Sequence, residues 1–254
     1  MATVGVLLPA NGLEAATAII LEGDRRGVRL RLFGGIAFKA ICASANDPLF
    51  ERSNKDIDIF GRREDAREIM RVMVQLGYRP REVFNRLSMG KRLIYYDVEN
   101  RRRVDIFLDE FEMCHKFDFK SSLSCDGLAL PITDLLMTKL QVVEITEKEF
   151  KDLLAAFADF DVSADEAGIN ARRLSDLCSK DWGVYKTFTT NLQLLRGRAL
   201  QLDREISALI TSRIDRLLAS IDSHSKTLAW RIRAKIGEKA RWYQLPDQDT
   251  DVIT

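Results

Sequence analysis

The sequence predicts an α/β (α+β) protein in which a mixed sheet flanked by helices is followed by an all-α C-terminal part. Three observations carry this expectation. Stretches that alternate apolar and polar residues with period two, the mark of a strand with one buried face, are confined to the N-terminal half. Helical segments lie between those strands, which is the order of an α/β layer. From about residue 145 every ordered segment repeats at helical spacing. The expected division is therefore residues 1–150 and residues 151–254.

The elements follow in order. Residues 11–22 form a helix capped by Asn11, with Leu13, Ala16, Thr17 and Ile20 on one side. Val28 to Phe33 alternates as a strand and stops at Gly34-Gly35, after which residues 36–43 are helical. Residues 44–54 hold turn formers and Pro48, so they make a long loop. A second strand is expected over residues 55–60. An amphipathic helix over 64–77 follows, with Ile69, Val72, Met73 and Leu76 on its inner face and Gly77 at its end. Strands at 92–98 and 103–108 flank a turn. Thr133 caps a helix over 133–143, and further helices are expected over 149–160, 170–178, 183–195, 200–223 and 229–242.

Composition sets outer bounds. Of 254 residues, 46% are hydrophobic and 30% charged, which excludes a disordered chain. Formal net charge is +1, so only a local patch can attract nucleic acid. The four cysteines form no CxxC pair and there are only two histidines, so no zinc-finger spacing exists. Unpaired thiols of this kind fit a reducing cytoplasm. The N-terminus lacks a basic run before its apolar residues, and no stretch is long and apolar enough to span a membrane. A cytoplasmic protein with no membrane partner is expected.

The candidate chemistry begins with Asp56 and Asp58. Residues two apart on a strand share a face, so Ile57 and Ile59 turn to the core while the two carboxylates face the same way. Paired carboxylates repel, and a divalent cation relieves that repulsion through the hard oxygen ligands that Mg2+ or Mn2+ prefers. An isolated pair of this kind is equally a solvated strand end. Asp105 repeats the arrangement between Val104 and Ile106. Beside the first pair it would complete a two-metal site for in-line phosphoryl displacement; alone it would pair with Arg101 to Arg103. Asp109 shares its parity but falls past the strand end. Gly34 and Gly35, at a strand-to-helix turn, offer bare N–H groups and close approach to a phosphate. They match neither the P-loop nor the dinucleotide-binding glycine pattern.

Strand, Gly-Gly, helix, loop, DxD strand, helix and a later acid form an order that resembles the nucleotidyltransferase superfamily typified by DNA polymerase beta, and within it the AbiEii-type, toxin-related group. The resemblance rests on LFGGIAFKA (32–40), NKDIDIF (54–60) and RRVDIFLD (102–109), with a weaker echo in DLLMTKLQ (134–141). It implies a nucleotidyltransferase-type mixed sheet. It implies that Gly34 and Gly35 cradle a triphosphate, that Asp56 and Asp58 bind Mg2+, and that Asp105 completes the site. Lys139 resembles a lysine directed at the nucleotide phosphates. The implied reaction moves an NMP from an NTP to a nucleic-acid end such as tRNA, a protein hydroxyl or a small molecule, and a cognate antitoxin protein is an implied partner. The gap between the glycines and the DxD is longer than usual for the family.

Two rival readings stand beside this one: a DxD glycosyltransferase using a sugar nucleotide, and a catalytically silent member of the fold acting as a binding module. Elsewhere, one of Tyr95 and Tyr96 belongs in the core and the other outside. Arg62 and Arg63 lie near the candidate site, while His115 reads as structural. Residues 180–185 suit a contact between the two halves. The basic segment 229–242 is either a solvated face or a nucleic-acid contact.

Overall fold

The computed structural model describes residues 8–245 apart from Met89. Residues 1–7 and 246–254, which include the polar end DQDTDVIT, lie outside the described residues.

Helix α1 (Gly12–Arg25) starts as its sequence requires: Asn11 Oδ1 accepts the N–H groups of Leu13 and Glu14 at 2.8 and 3.2 Å. It buries Ala15, Ala16, Ile19 and Ile20. Strand β1 (Arg31–Phe33) is shorter than the alternation suggests, although Val28 and Leu30 are also buried. Helix α2 (Gly34–Ile41) begins at the glycines themselves, and β2 (Ile57–Gly61) begins one residue after Asp56. Helix α3 (Ala66–Gln75) buries Ile69, Val72 and Met73, and Gly77 closes it at φ 95°. Strands β4 (Arg92–Asp97) and β5 (Arg102–Leu108) form the expected hairpin.

Together with β3 (Arg79–Pro80), these strands make one five-stranded mixed sheet in the order β1-β2-β5-β4-β3. Only β2 and β5 run parallel, and the crossover between them carries α3. Their register sets Asp58 directly opposite Asp105, and Phe33 lies opposite Asp58 on the other side. Directly paired residues share a face. The alternate face is apolar, with Ile57, Ile59, Val104 and Ile106 fully buried.

Several elements had no period to reveal them. The short helix α4 (Glu82–Leu87) and the hairpin of β6 (Glu110–Glu112) and β7 (Lys116–Asp118) were not expected. A two-residue parallel pair, β8 (Val162–Ser163) and β9 (Ile169–Asn170), corrects the expectation of no strand in the second half; two residues cannot display an alternation. The remaining helices are α5 (Ile132–Leu140), α6 (Glu147–Asp159), α7 (Ala171–Lys180), α8 (Trp182–Ala199), α9 (Arg204–Ser223) and α10 (Leu228–Ile236). Thr133 is not the cap of α5. Pro131 holds that position, and the Thr133 hydroxyl instead accepts the Asn170 N–H at 3.0 Å. Gly237 at φ 59° stops α10 well before residue 242.

One continuous apolar core runs from Ala15 on α1 to Ile221 on α9, through sheet and helices alike. The expected division at 150/151 falls inside α6. Among the described residues no helix is long and apolar enough to cross a membrane.

Candidate active site

Three of the expected residues line one cleft of about 320 Å3: Gly34, Asp58 and Lys139, joined by Thr138 and Arg92. Gly34 is required by two facts. Its φ of +67° suits glycine, and a Cβ there would lie 2.0 Å from Asp58 Oδ2. The glycine therefore lets the β2 carboxylate press against the first turn of α2. No side chain caps that turn. Its leading N–H groups keep the donor capacity and positive dipole end that favour an anion.

Gly35 does not line the cleft. A Cβ there would sit 2.0 Å from Arg52 Nη2 and from Asn54 Oδ1, so Gly35 admits the end of the long loop over α2. This loop carries the residue that sequence reasoning missed. Arg52 donates to both oxygens of Asp152 on α6, Nε to Oδ1 at 2.7 Å and Nη2 to Oδ2 at 2.6 Å. Asp152 is 4% exposed and also receives Lys139 Nζ at 3.0 Å. Glu149 lies 3.9 Å from the same ammonium. Arg52, buried Asp152 and Lys139 thus form one chain, its two cations partly buried, that fixes the lysine at the cleft wall. The sole sequence signal was the extra length between the glycines and the DxD.

The carboxylates behave as a coupled group. Burial first, then the nearby Asp105 and Asp56 charges, push Asp58 up to about 7; Lys139 and Arg92 oppose this. Asp56 is exposed and precedes β2, outside the cleft lining, yet its carboxyl is also raised by burial and by Asp105. Asp105 is buried, and both of its oxygens take arginine: Arg92 Nε at 2.9 Å and Arg103 Nε at 2.9 Å. The pairing with its own strand and the convergence on Asp58 are therefore both present. Among the described residues, no three Asp, Glu, His or Cys side chains are arranged as a ready metal cluster. Asp56 and Asp58 fit a divalent cation in donor chemistry, since both are carboxylates held above their ordinary range by burial and then by neighbouring carboxylate charge.

Other expected residues fall as follows. Tyr95 is core and Tyr96 half-buried. Asp109 lies past the end of β5 at φ 66° and accepts the Arg63 N–H at 3.1 Å. Arg62 pairs with Glu64 at 3.1 Å. Arg63, Lys91 and Arg92 line a second cleft of about 400 Å3 that shares Arg92 and Phe107 with the first. His115 is structural: its backbone N–H donates to Gln141 at 2.9 Å, its Nε2 sits 2.9 Å from the Thr187 hydroxyl, and burial lowers its pKa. Trp182 packs edge-to-face on Trp242, whose indole N–H also reaches Thr187 at 3.2 Å. Trp182 therefore ties the start of α8 to the segment after α10, while Thr187, outside the 180–185 segment, meets the β6–β7 turn through His115.

No family model matches the chain, and no curated protein matches it. Among solved structures, the solution structure of antibiotic-resistance factor ANT(2'')-Ia, an aminoglycoside nucleotidyltransferase, is similar with a TM-score of 0.42 and 14% identity, over 65% of this chain and 92% of that chain.

Proposed function

We propose that this protein is a nucleotidyltransferase that moves an NMP from an NTP to an acceptor hydroxyl and releases pyrophosphate. The observation that carries the reading is the register of β2 and β5, which sets Asp58 opposite Asp105 beside an uncapped helix N-terminus, with Lys139 across the cleft. Phosphoryl transfer asks a protein mainly for position and charge neutralisation. The first turn of α2 and Lys139 bind and orient the triphosphate. Asp56 and Asp58 would hold Mg2+ or Mn2+, which supplies charge neutralisation at the transferring phosphate when bound. Asp105 orients Arg92, and its two oxygens pair with Arg92 and Arg103 beside Asp58. The acceptor classes implied by the sequence remain a nucleic-acid end, a protein hydroxyl or a small molecule.

One observation favours a second reading. With Asp105 already neutralised by Arg92 and Arg103, the fold also suits a nucleotide-binding module without turnover. Thermal unfolding with each NTP and Mg2+, compared with UDP-sugars and Mn2+, separates the alternatives. Stabilisation by an NTP alone supports the proposal. Stabilisation by UDP-sugars alone favours a glycosyltransferase, and binding without product favours the silent module.

A further inference from the structure

A third cleft lies away from the aspartates, between the β6–β7 hairpin, the start of α8, and α10 with the segment after it. It measures about 580 Å3 and is lined by all three tryptophans of the chain, Trp182, Trp230 and Trp242, together with Tyr243. Cations alternate with these rings. The Arg233 guanidinium lies 4.7 Å over Trp182, and that of Arg241 lies 4.9 Å over Tyr243. Lys180 adds a third positive charge. Among the described residues no carboxylate forms an ion pair with Lys180, Arg233 or Arg241. The acid lining the groove, Asp181, is committed to the N-terminus of α8, where Oδ1 accepts the N–H groups of Gly183 and Val184.

The groove is built rather than incidental. Gly183 is needed because a Cβ there would lie 2.7 Å from the Trp242 carbonyl, which crosses the start of α8 at that point. The Gln244 N–H then donates to the Cys114 carbonyl at 3.0 Å, pinning the segment to the catalytic half. The Trp230 indole N–H is shielded from water and has no acceptor among the described residues. Gln244 also lines the cleft of Arg63, Lys91 and Arg92, which in turn shares Arg92 and Phe107 with the Asp58 cleft. The three openings therefore adjoin in sequence.

We propose that this aromatic and cationic groove binds a single-stranded nucleic acid. The exposed Lys180 ammonium and Arg241 guanidinium take the phosphates, and the half-buried rings of Trp230, Trp242 and Tyr243 offer their open faces and edges to the bases. A polyanion without bases would use the charge but leave the ring cluster without a role. The site is separate from the aspartates. Its link to transfer, as the path that brings a strand end to Asp58, rests on the nucleotidyltransferase reading; the binding itself does not.

Because every tryptophan lines this groove, intrinsic fluorescence reads it directly. The whole chain is titrated with single-stranded RNA and DNA oligonucleotides of about twelve nucleotides, with the matching duplex, and with inorganic polyphosphate as a polyanion lacking bases. Saturable quenching by a single strand, exceeding that by duplex and by polyphosphate, is the expected result. The double variant Lys180→Glu/Arg241→Glu changes two exposed side chains. It should weaken binding at least about tenfold and flatten the salt dependence, at about 0.7 in log–log slope per lost phosphate contact. Trp230→Leu should reduce affinity with the salt slope unchanged, and Asp58→Asn should bind like the parent. Equal quenching by polyphosphate, absence of quenching by either strand, or an unaffected charge-reversal variant with unchanged thermal unfolding overturns the proposal. Absence of NMP transfer by the parent chain, with its strand binding intact, would refute only the transferase reading.

Discussion

Asp58→Asn isolates the physical cost of the candidate site. Burial and two neighbouring carboxylates carry the Asp58 carboxyl from an ordinary value of 3.8 to about 7. A rise of that size corresponds to about 4 kcal/mol between protonation states. Water reaching the open side of the cleft screens part of this, leaving about 2 kcal/mol. The folded state holds the proton more tightly than the unfolded chain. The stability linked to that proton is therefore complete below the unfolded value and is lost as pH rises through about 7. At pH 8.5 in EDTA the parent should be less stable than Asp58→Asn by about 2 kcal/mol, or about 4–8 °C in Tm for a chain of this size. At pH 4 most of that gap should close. Added Mg2+ should raise the parent's Tm at pH 8.5 and leave the variant unmoved. Urea unfolding at both pH values, with and without Mg2+, gives the four comparisons. A variant no more stable than the parent at pH 8.5, or a gap independent of pH, would refute the claim that burial and neighbouring carboxylates raise the Asp58 carboxyl.

Further predictions concern the surrounding chain. Asp152→Asn leaves the Arg52 guanidinium and the Lys139 ammonium short of their shared anion, so urea unfolding should show a loss of about 3–5 kcal/mol. Arg52→Lys retains the charge but loses the two-point pairing; nucleotide affinity measured by calorimetry should fall more than Tm does. Gly34→Ala forces a side chain into a positive φ at about 1–2 kcal/mol and drives Asp58 aside. Its transfer rate should drop by far more than that stability loss implies, and equal rates would contradict the assigned contact. A native thiol titration at pH 8 should leave Cys42 and Cys178 unreacted, since burial pushes both thiols up, Cys178 to about 12. Denaturant should release all four thiols.

Much of the fold could be read from periodicity because each helix buries one stripe and each central strand one face. Ile69, Val72 and Met73 were legible on α3, and Ile57 and Ile59 on β2. What failed was whatever lacks a repeat: β6 and β7 hold three residues each and β8 and β9 two, too few for a period of two to recur. Helix ends shifted where a backbone feature decided them, as Gly237 did for α10. In the site, the DxD and the later aspartate were visible as residue types. Their opposition could not be read, because it depends on a parallel register made by residues far apart in sequence. Arg52 was invisible for the same reason: its meaning lies in Asp152, on another element, and in Gly35, whose missing side chain makes room for it. The two glycines looked like one phosphate cradle. They divide the work, one admitting Asp58 and the other admitting Arg52.

The most direct test follows the α-phosphate. The chain is incubated with each α-labelled NTP, Mg2+, and separate pools of RNA, protein and small metabolites, with pyrophosphate measured in parallel. Transfer of label to one pool, matched by equal pyrophosphate release and abolished by Asp58→Asn while the fold persists, is the result this account predicts. Label transfer that survives Asp58→Asn would contradict it, as would a nucleotide that binds with no transfer to any pool.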